Sequence, residues 1–445
     1  MEIARKKRTL CSRSTSPPVH RSSGNFFLKT LGCKVNQYES QLIRERLADL
    51  GYAETPLSAA DIVIVNSCTV TESADSKTLR FIRSAKNKNP EASLIVTGCC
   101  AVTEQDIGRL ASMSEIDAVV PGPEKLDISS LLGRSCAVLG PETGCGNGEV
   151  TFFRGHRRAF VKIQDGCDNS CSYCKVTVVR GPSRSRKISS ILKEVGNLYS
   201  SGYREIVLTG ICVGDWKGEG NVRFGNLIRE INAMPGNFRI RISSIEPRYV
   251  TQTLINDLSS SGKVCRHLHI PLQSGSDGIL KAMNRGYTGK NFLKTIDLLR
   301  RKIPEVGIST DVITGFPGET ESDFQHTKNL LENIRPSRLH VFRFSAREGT
   351  PAAGMGSQVP DKTAKERSRI LIDLGAGFQR DFASHFVGKE INVLIESSGS
   401  AYLEGYSSEY VKVLVRSGMT STGNIVRCKG KSVDHNSALI ADIIW

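Results

Sequence analysis

Three closely spaced cysteines are the first residues in this chain able to do unusual chemistry. In the run GCDNSCSYC, Cys167, Cys171 and Cys174 form a C-x3-C-x2-C pattern just after a predicted strand, AFVKIQDG. Thiolates are natural ligands of iron–sulfur clusters, and this spacing lets one loop wrap three of them around a single centre. Three ligands on a four-iron cluster leave one iron open to bind and activate a small molecule. Structural zinc is the rival, but it takes four protein ligands, and the loop offers no fourth Cys or His. Three further cysteines, Cys33 in LGCKVNQYES, Cys68 in VNSCTV and Cys99 in VTGCCA, each end a predicted strand. Adjacent parallel strands bring their C-terminal ends side by side, so these thiols can converge on a second cluster. The alternative is three buried structural cysteines, a common fate of the residue. Cys100 stands beside Cys99, and either is a candidate ligand.

The elements that must position these thiols are legible as alternating patterns. FFLKTLG, DIVIVNSC, SLIVTGCC and IDAVVPG read as strands, separated by helical stretches such as QLIRERLADLGY. That alternation predicts an α/β, parallel-sheet N-terminal domain over 25–137, with residues 138–150, rich in Gly, as a linker. From Thr151 six more strands, AFVKIQDG, EIVLTG, FRIRISSI, RHLHIPLQ, GISTDVITGF and RLHVFRFS, alternate with helical segments. They predict a partial α/β barrel over 151–385, with its chemistry at the C-terminal strand ends. EINVLIES, YVKVLVRS, NIVRCKGK and ALIADIIW then predict a small all-β barrel over 386–445.

Composition bounds the partners. The 445 residues carry 60 Lys+Arg against 45 Asp+Glu, a formal net charge of +15 that suits a polyanion. No apolar run is long enough to span a bilayer, so no membrane partner is expected. Thirteen cysteines, an odd number in a chain of this size with no secretory signal read in it, argue for reduced thiols in the cytoplasm rather than a disulfide scaffold. Residues 1–24 hold six Lys/Arg and one acid, Glu2, and read as a disordered basic tail; a transit peptide is the rival.

The C-x3-C-x-aromatic-C pattern resembles the radical-SAM superfamily. The resemblance implies that S-adenosylmethionine (SAM) chelates the open iron and is cleaved by one-electron reduction to a 5′-deoxyadenosyl radical. Tyr173 stands at the aromatic position, which helps seat the adenine, or else is a packing aromatic. The second cysteine trio, with LGCKVNQYES, RGPSRSR, PLQSGSDGILKAMNRGYT, DVITGFPGET and REGTPAA, is similar to the methylthiotransferase family from Asn25 to Trp445. That resemblance implies two 4Fe–4S clusters, the auxiliary one on Cys33, Cys68 and Cys99, and a TRAM-like final barrel. The family's single Cys after TG favours Cys99 over Cys100. GCKVNQYES most resembles the bacterial branch acting on N6-threonylcarbamoyladenosine at position 37 of tRNA. The isopentenyladenosine and ribosomal-protein branches are its neighbours, and a non-catalytic iron–sulfur RNA-binding protein is the rival from another class. The implied partners are tRNA, an electron donor such as flavodoxin or ferredoxin, and a sulfur source.

Other candidates follow from strand ends. Thr209 and Gly210, in LTG, can offer backbone groups to the SAM amine, or form an ordinary turn. Ser243 and Glu246, in RISSIEP, can hold the ribose or amino-acid part, or cap a helix. Gln273 and Ser274 end another strand, and Gly315–Glu319 is either a turn for adenosine approach or a plain strand-to-helix turn. Residues 151–190 hold nine Lys/Arg and two Asp; Arg180, Arg184, Arg186 and Lys187 are candidate phosphate contacts, against the alternative of a solvated loop. Cys11, Cys136, Cys145, Cys212, Cys265 and Cys428 read as core or surface thiols. VTVVRGPSRSR departs from the family's more usual proline- and arginine-rich segment.

Overall fold

The β-branched runs at the start of the chain fold into a five-stranded parallel sheet. The structure, a computed structural model, describes residues 24–69, 72–127, 132, 148–416 and 420–444. The expected basic tail up to residue 23, most of the expected linker, Cys11, Cys136 and Cys145 lie outside the described residues. The chain divides into two compact units: residues up to Val150 together with Lys175–Gly181, and Thr151–Cys174 together with Pro182–Trp445.

In the first unit β1 (Asn25–Thr30), β2 (Ala53–Glu54), β3 (Ile62–Ser67), β4 (Ser93–Gly98) and β5 (Ala118–Val119) lie in the order β2-β1-β3-β4-β5. Side chains alternate across the sheet. Val63, Val65, Leu94 and Val96 pack with Ile82 of α2 (Glu72–Lys88) and Leu110 of α3 (Glu104–Ala111). Ile64, Ile95, Phe26 and Leu28 pack on the other face with Ile43 and Leu47 of α1 (Lys34–Asp49). Each such side chain buried on both sides contributes about 1.5–3 kcal/mol. The three long strands end side by side, with Thr30 opposite Asn66 and Ser67 opposite Gly98.

The second unit holds β6 (Ala159–Lys162), β7 (Gln164–Asp165), β8 (Arg184–Ser185), β9 (Glu205–Thr209), β10 (Arg239–Ile242), β11 (His267–His269), β12 (Gly307–Thr314) and β13 (Arg338–Arg343). Parallel sheets β10-β9-β6 and β11-β12-β13 are joined by the parallel bridges Ile240–Val264 and Ser244–His269. The six strands therefore follow one another as a partial barrel, with β7 and β8 forming a separate antiparallel ribbon. Helices Ile188–Ser200, Phe224–Ala233, Gly289–Lys302 and Glu321–Ile334 are among those that return the chain between strands. Thr288 and Thr320 cap two of them, each accepting a backbone N–H from the first turn.

The chain ends in a closed barrel of β14 (Glu390–Ser398), β15 (Tyr402–Ser407), β16 (Lys412–Arg416), β17 (Ile425–Val433) and β18 (Leu439–Ile443). Sequence patterning found four of these strands and missed β15. That strand, YLEGYS, carries Gly405 at its centre, where any Cβ would collide with the Leu394 carbonyl of the neighbouring strand. Glu205, fully buried on β9, ties the two barrels of this unit together. It pairs with Arg158, Arg239 and Arg241 at 3.1, 2.6 and 2.7 Å. The same arginines reach the C-terminal barrel. Arg239 donates to the Asn392 and Tyr406 carbonyls, Arg241 to the Ser407 and Ser408 carbonyls, and Arg158 pairs with Glu396. Arg241 also stacks over the Tyr410 ring. No helix among the described residues is long and apolar enough to cross a membrane.

Candidate functional site

In the first unit Cys33, Cys68 and Cys99 follow β1, β3 and β4, the three adjacent strands, and so come together where those strands end. Asn36, in the first turn of α1, is their hub. Its side-chain amide donates to the Leu31 and Ser67 carbonyls at 3.1 and 2.9 Å, which fixes the orientation of its oxygen. That oxygen accepts from both the Cys33 and Cys99 thiols at 3.9 Å. A hydrogen bond from the Cys68 thiol is the main cause that draws Cys99 down to about 6; burial opposes it, and Arg180 and Lys125 assist. Gly32, with φ +123°, lets Cys68 approach, since a Cβ there would strike the Cys68 side chain. Cys100 turns the other way. It packs in the core with Val63, Val65 and Ile82, takes a hydrogen bond from the Ser67 hydroxyl, and is pushed up to about 12 by burial.

Two cations stand behind this trio. Arg180 donates to both oxygens of Glu39 at 3.0 and 3.2 Å and to the Asn36 oxygen at 2.5 Å, and Lys125 lies 2.5 Å from Glu39. Two buried cations against one carboxylate leave a net positive charge beside three thiols, which helps lower Cys99 and opposes the burial that pushes the Cys33 thiol up, and it suits the anionic cluster the three would hold. Arg180 was expected from the sequence to grip phosphate, and its burial removes it from that role. The same holds for Arg186, buried in the second unit with its guanidinium on Glu194, Ser190 and the Lys162 carbonyl. Arg184 and Lys187 are exposed.

In the second unit Cys167, Cys171 and Cys174 lie on the loop after β7, each partly exposed. Ser172 anchors that loop. Its hydroxyl donates to the Ala282 carbonyl at 2.8 Å, its N–H to the Met283 carbonyl, and its own carbonyl accepts from Ala352. The Cys174 N–H closes a turn onto the Cys171 carbonyl. Tyr173 packs against Ile279, Met283, Phe316 and Ala352. Two residues that sequence reasoning missed touch the trio. Arg285 donates to the Cys171 sulfur at 3.2 Å and pairs with Glu246, so Glu246 is held by a cation. Cys212 hydrogen-bonds Cys167, which is the main cause lowering Cys167 to about 7. The hydrogen bond to Cys167, together with burial, holds the Cys212 thiol far up, so Cys212 meets the loop as a protonated donor and not as a fourth thiolate.

The strand-end candidates divide by their partners. Gly210 sits where a Cβ would lie 2.9 Å from the Gln164 carbonyl, so glycine permits a close approach there, beside Thr209. The Ser243 hydroxyl is buried with no hydrogen-bond partner among the described residues, a group suited to a polar ligand. Gln273 holds a positive φ of +67° between β11 and β12, a strained backbone of the kind found at working sites. Ser274, by contrast, is buried against Thr327. Glu319 accepts from the Gly315 N–H and pairs with Arg367, which makes GFPGE a packing turn. Both cysteine trios therefore fit thiolate-held clusters, and the barrel's strand ends fit a polar ligand beside the loop.

Comparison with known proteins agrees with this division. Residues 161–331 match the Radical SAM superfamily, and residues 25–121 match Uncharacterized protein family UPF0004. The chain is 36% identical over 424 residues to the threonylcarbamoyladenosine tRNA methylthiotransferase MtaB of Thermotoga maritima, covering 94% of this chain and 97% of that one. It is 36% identical over 418 residues to the protein of the same name from Bacillus subtilis, covering 90% and 92%. The tRNA-2-methylthio-N(6)-dimethylallyladenosine synthase of Aquifex aeolicus is also 36% identical, covering 92% and 96%. The radical S-adenosylmethionine methyltransferase TsrM from Kitasatospora setae shares the fold, with a TM-score of 0.53, 15% identity and 74% of each chain covered. With such identity along nearly the whole length of both chains, the chain belongs to the radical-SAM methylthiotransferase family.

Proposed function

We propose that the chain is a transferase that replaces the C2 hydrogen of N6-threonylcarbamoyladenosine, at position 37 of tRNA, by a methylthio group. The observation that carries this reading is full-length similarity to proteins of that specificity in a chain with two separate three-thiol sites. When bound, the clusters and SAM supply reductive cleavage of SAM at the Cys167/Cys171/Cys174 loop and methylation of sulfur at the Cys33/Cys68/Cys99 site. An unreactive aromatic C–H bond is a poor target for acid–base groups, which is why a cofactor must provide the hard step.

The chain's own residues provide placement. Ser172 locks the middle of the loop, so that Cys171 and Cys174 keep their spacing. Arg285 and the Asn169 N–H, the latter 3.4 Å from the Cys167 sulfur, direct donors at ligand sulfurs, and such bonds set reduction potential. Ser243, Gly210, Thr209 and Gln273 offer polar groups for SAM, and Tyr173 a surface for its adenine. Exposed Arg184 and Lys187 offer cations to tRNA phosphates. Position 37 lies in a single-stranded loop, from which a base can be splayed into a barrel. The reaction also needs an electron donor such as flavodoxin or ferredoxin and a sulfur source, and it belongs in the cytoplasm with its tRNA.

Nucleoside mass spectrometry of a deletion strain tests the reading. The 2-methylthio form of threonylcarbamoyladenosine should vanish and its unmethylthiolated precursor accumulate. Loss of the isopentenyl counterpart instead would move the chain to the branch of the Aquifex aeolicus relative. An unchanged tRNA profile with an altered ribosomal protein would reject tRNA as substrate.

A further inference from the structure

The partial barrel holds a second group of metal-ligating side chains, on residues that the cysteine sites do not use. His269 on β11, Asp311 on β12 and His340 on β13 each present one ligand atom, and these atoms all lie within 4.8 Å of one another. Strand register puts them on one face. His269 stands opposite Ser309, two residues before Asp311, and Asp311 stands opposite His340. Leu268, Ile308, Thr310 and Val312 alternate with them and are buried, and Leu339 meets Gly375 of helix Asp361–Ser384. The helices therefore cover the other face, and the three ligand residues face the barrel lumen.

Two imidazoles and a carboxylate form the donor set that holds divalent first-row metals with coordination positions left open. Imidazole ligands usually have their second nitrogen fixed by a hydrogen bond. His269 has this arrangement: Nδ1 lies 2.9 Å from the Ser309 hydroxyl, while Nε2 lies 3.0 Å from Asp311 Oδ2. The Ser309 hydroxyl also lies 2.9 Å from His267 Nε2. In the tautomer where that hydroxyl gives its single proton to His267, it accepts from His269 Nδ1–H, which leaves the His269 Nε2 lone pair beside the Asp311 carboxylate, the arrangement a metal ion bridges. His340 adds a third donor within reach, its ring centroid 5.8 Å from that of His269. An ion with ligands at about 2.1 Å holds them roughly 3–3.5 Å apart, so a pair at the 4.8 Å limit closes by roughly 1.3–1.8 Å through side-chain rotation. We propose that His269, Asp311 and His340 bind one divalent first-row metal ion in the barrel lumen.

The test uses the full chain with both clusters reconstituted anaerobically. Mn2+ is titrated in and the free ion followed by room-temperature electron paramagnetic resonance, because Mn2+ favours oxygen and nitrogen donors over thiolates. One bound Mn2+ per chain is expected. His340→Ala and Asp311→Asn should each weaken binding by about tenfold or more, with iron content and melting as in the unsubstituted protein. Zinc added to the same protein should show a nitrogen/oxygen shell at about 2.0–2.1 Å by X-ray absorption, rather than sulfur at about 2.3 Å. Absence of stoichiometric Mn2+ binding, binding that survives both substitutions, or a sulfur shell around the zinc overturns the assignment. Should a variant fail to fold, the titration and the absorption spectrum of the unsubstituted protein decide the matter by themselves.

Discussion

Arg180→Ala separates a structural arginine from an RNA-binding one. The substitution removes two bonds to Glu39, at 3.0 and 3.2 Å, and one to Asn36, at 2.5 Å. The Arg180 and Glu39 side chains are 6% and 3% exposed, so water cannot replace what is lost. Deleting one partner of a buried pair costs about 3–5 kcal/mol. Lys125 remains on Glu39 and offsets part of this, which leaves about 2–4 kcal/mol for the first unit. At about 2–4 °C per kcal/mol, its melting should fall by roughly 4–16 °C. Asn36 also loses a partner, and its oxygen is the common contact of Cys33 and Cys99. Iron content should therefore drop by about four per chain, one cluster's worth. Arg180→Lys keeps the charge without the fork and should fall between. Iron and sulfide assay, calorimetry and tRNA binding are measured on the same reconstituted protein. Full iron and unchanged melting together with weakened tRNA binding would show that the guanidinium serves phosphate, and would refute the reasoning.

Five further substitutions probe the other sites. Cys99→Ala should lose about four irons yet still release 5′-deoxyadenosine, whereas Cys100→Ala should keep its iron and lose only about 1–2 kcal/mol of stability; the reverse pattern would exchange their roles. Ser243→Ala should leave melting within about 1 °C, because its hydroxyl has no bond among the described residues to lose, while weakening SAM binding; unchanged SAM affinity would remove it from the ligand set. Glu205→Gln should cost about 3–5 kcal/mol, equally at pH 5.5 and pH 8. Burial works against ionisation of Glu205, but Arg241, Arg239 and Arg158 outweigh it and hold the carboxyl far below the usual carboxylate range. Its contribution is then complete above the unfolded value of about 4.3 and declines only as pH falls toward the folded value; a penalty that shrinks between pH 8 and 5.5 would contradict this. Arg184→Glu should reduce the salt dependence of tRNA binding by about one counterion while sparing SAM cleavage without tRNA; an unaltered slope places the phosphate contacts elsewhere.

What the sequence disclosed followed from local pattern, and what it concealed depended on distant contacts. The strands DIVIVNSC and SLIVTGCC announce themselves through β-branched runs, and parallel topology then forces Cys68 and Cys99 together. The Cys167 loop is visible because its ligands are close in sequence. YLEGYS escaped because its glycine and polar residues carry no strand signal, although barrel closure demands the strand. Cys212 and Arg285 were invisible as partners because they come from 45 residues beyond Cys167 and 114 beyond Cys171. Arg180 and Arg186 were misread for a related reason: charge in a sequence does not say whether a carboxylate such as Glu39 or Glu194 waits for it inside the fold. Asn36 had a signal that was not used, a carboxamide one turn past a strand-end cysteine.

The clamp around Glu205 has a consequence for how this chain can be dissected. Removing everything after Val387 looks like the natural way to ask whether the last domain grips RNA. It would also strip Arg158 of Glu396, and Arg239 and Arg241 of the four carbonyls they reach. Three guanidiniums would then crowd one carboxylate at a freshly exposed barrel base. The truncated chain would be damaged in its catalytic half, and lost activity would say nothing about tRNA. Modularity in sequence is not severability in the molecule here. Outward-facing single changes, such as Lys429→Glu on β17, leave the clamp whole and put the RNA question to an intact enzyme.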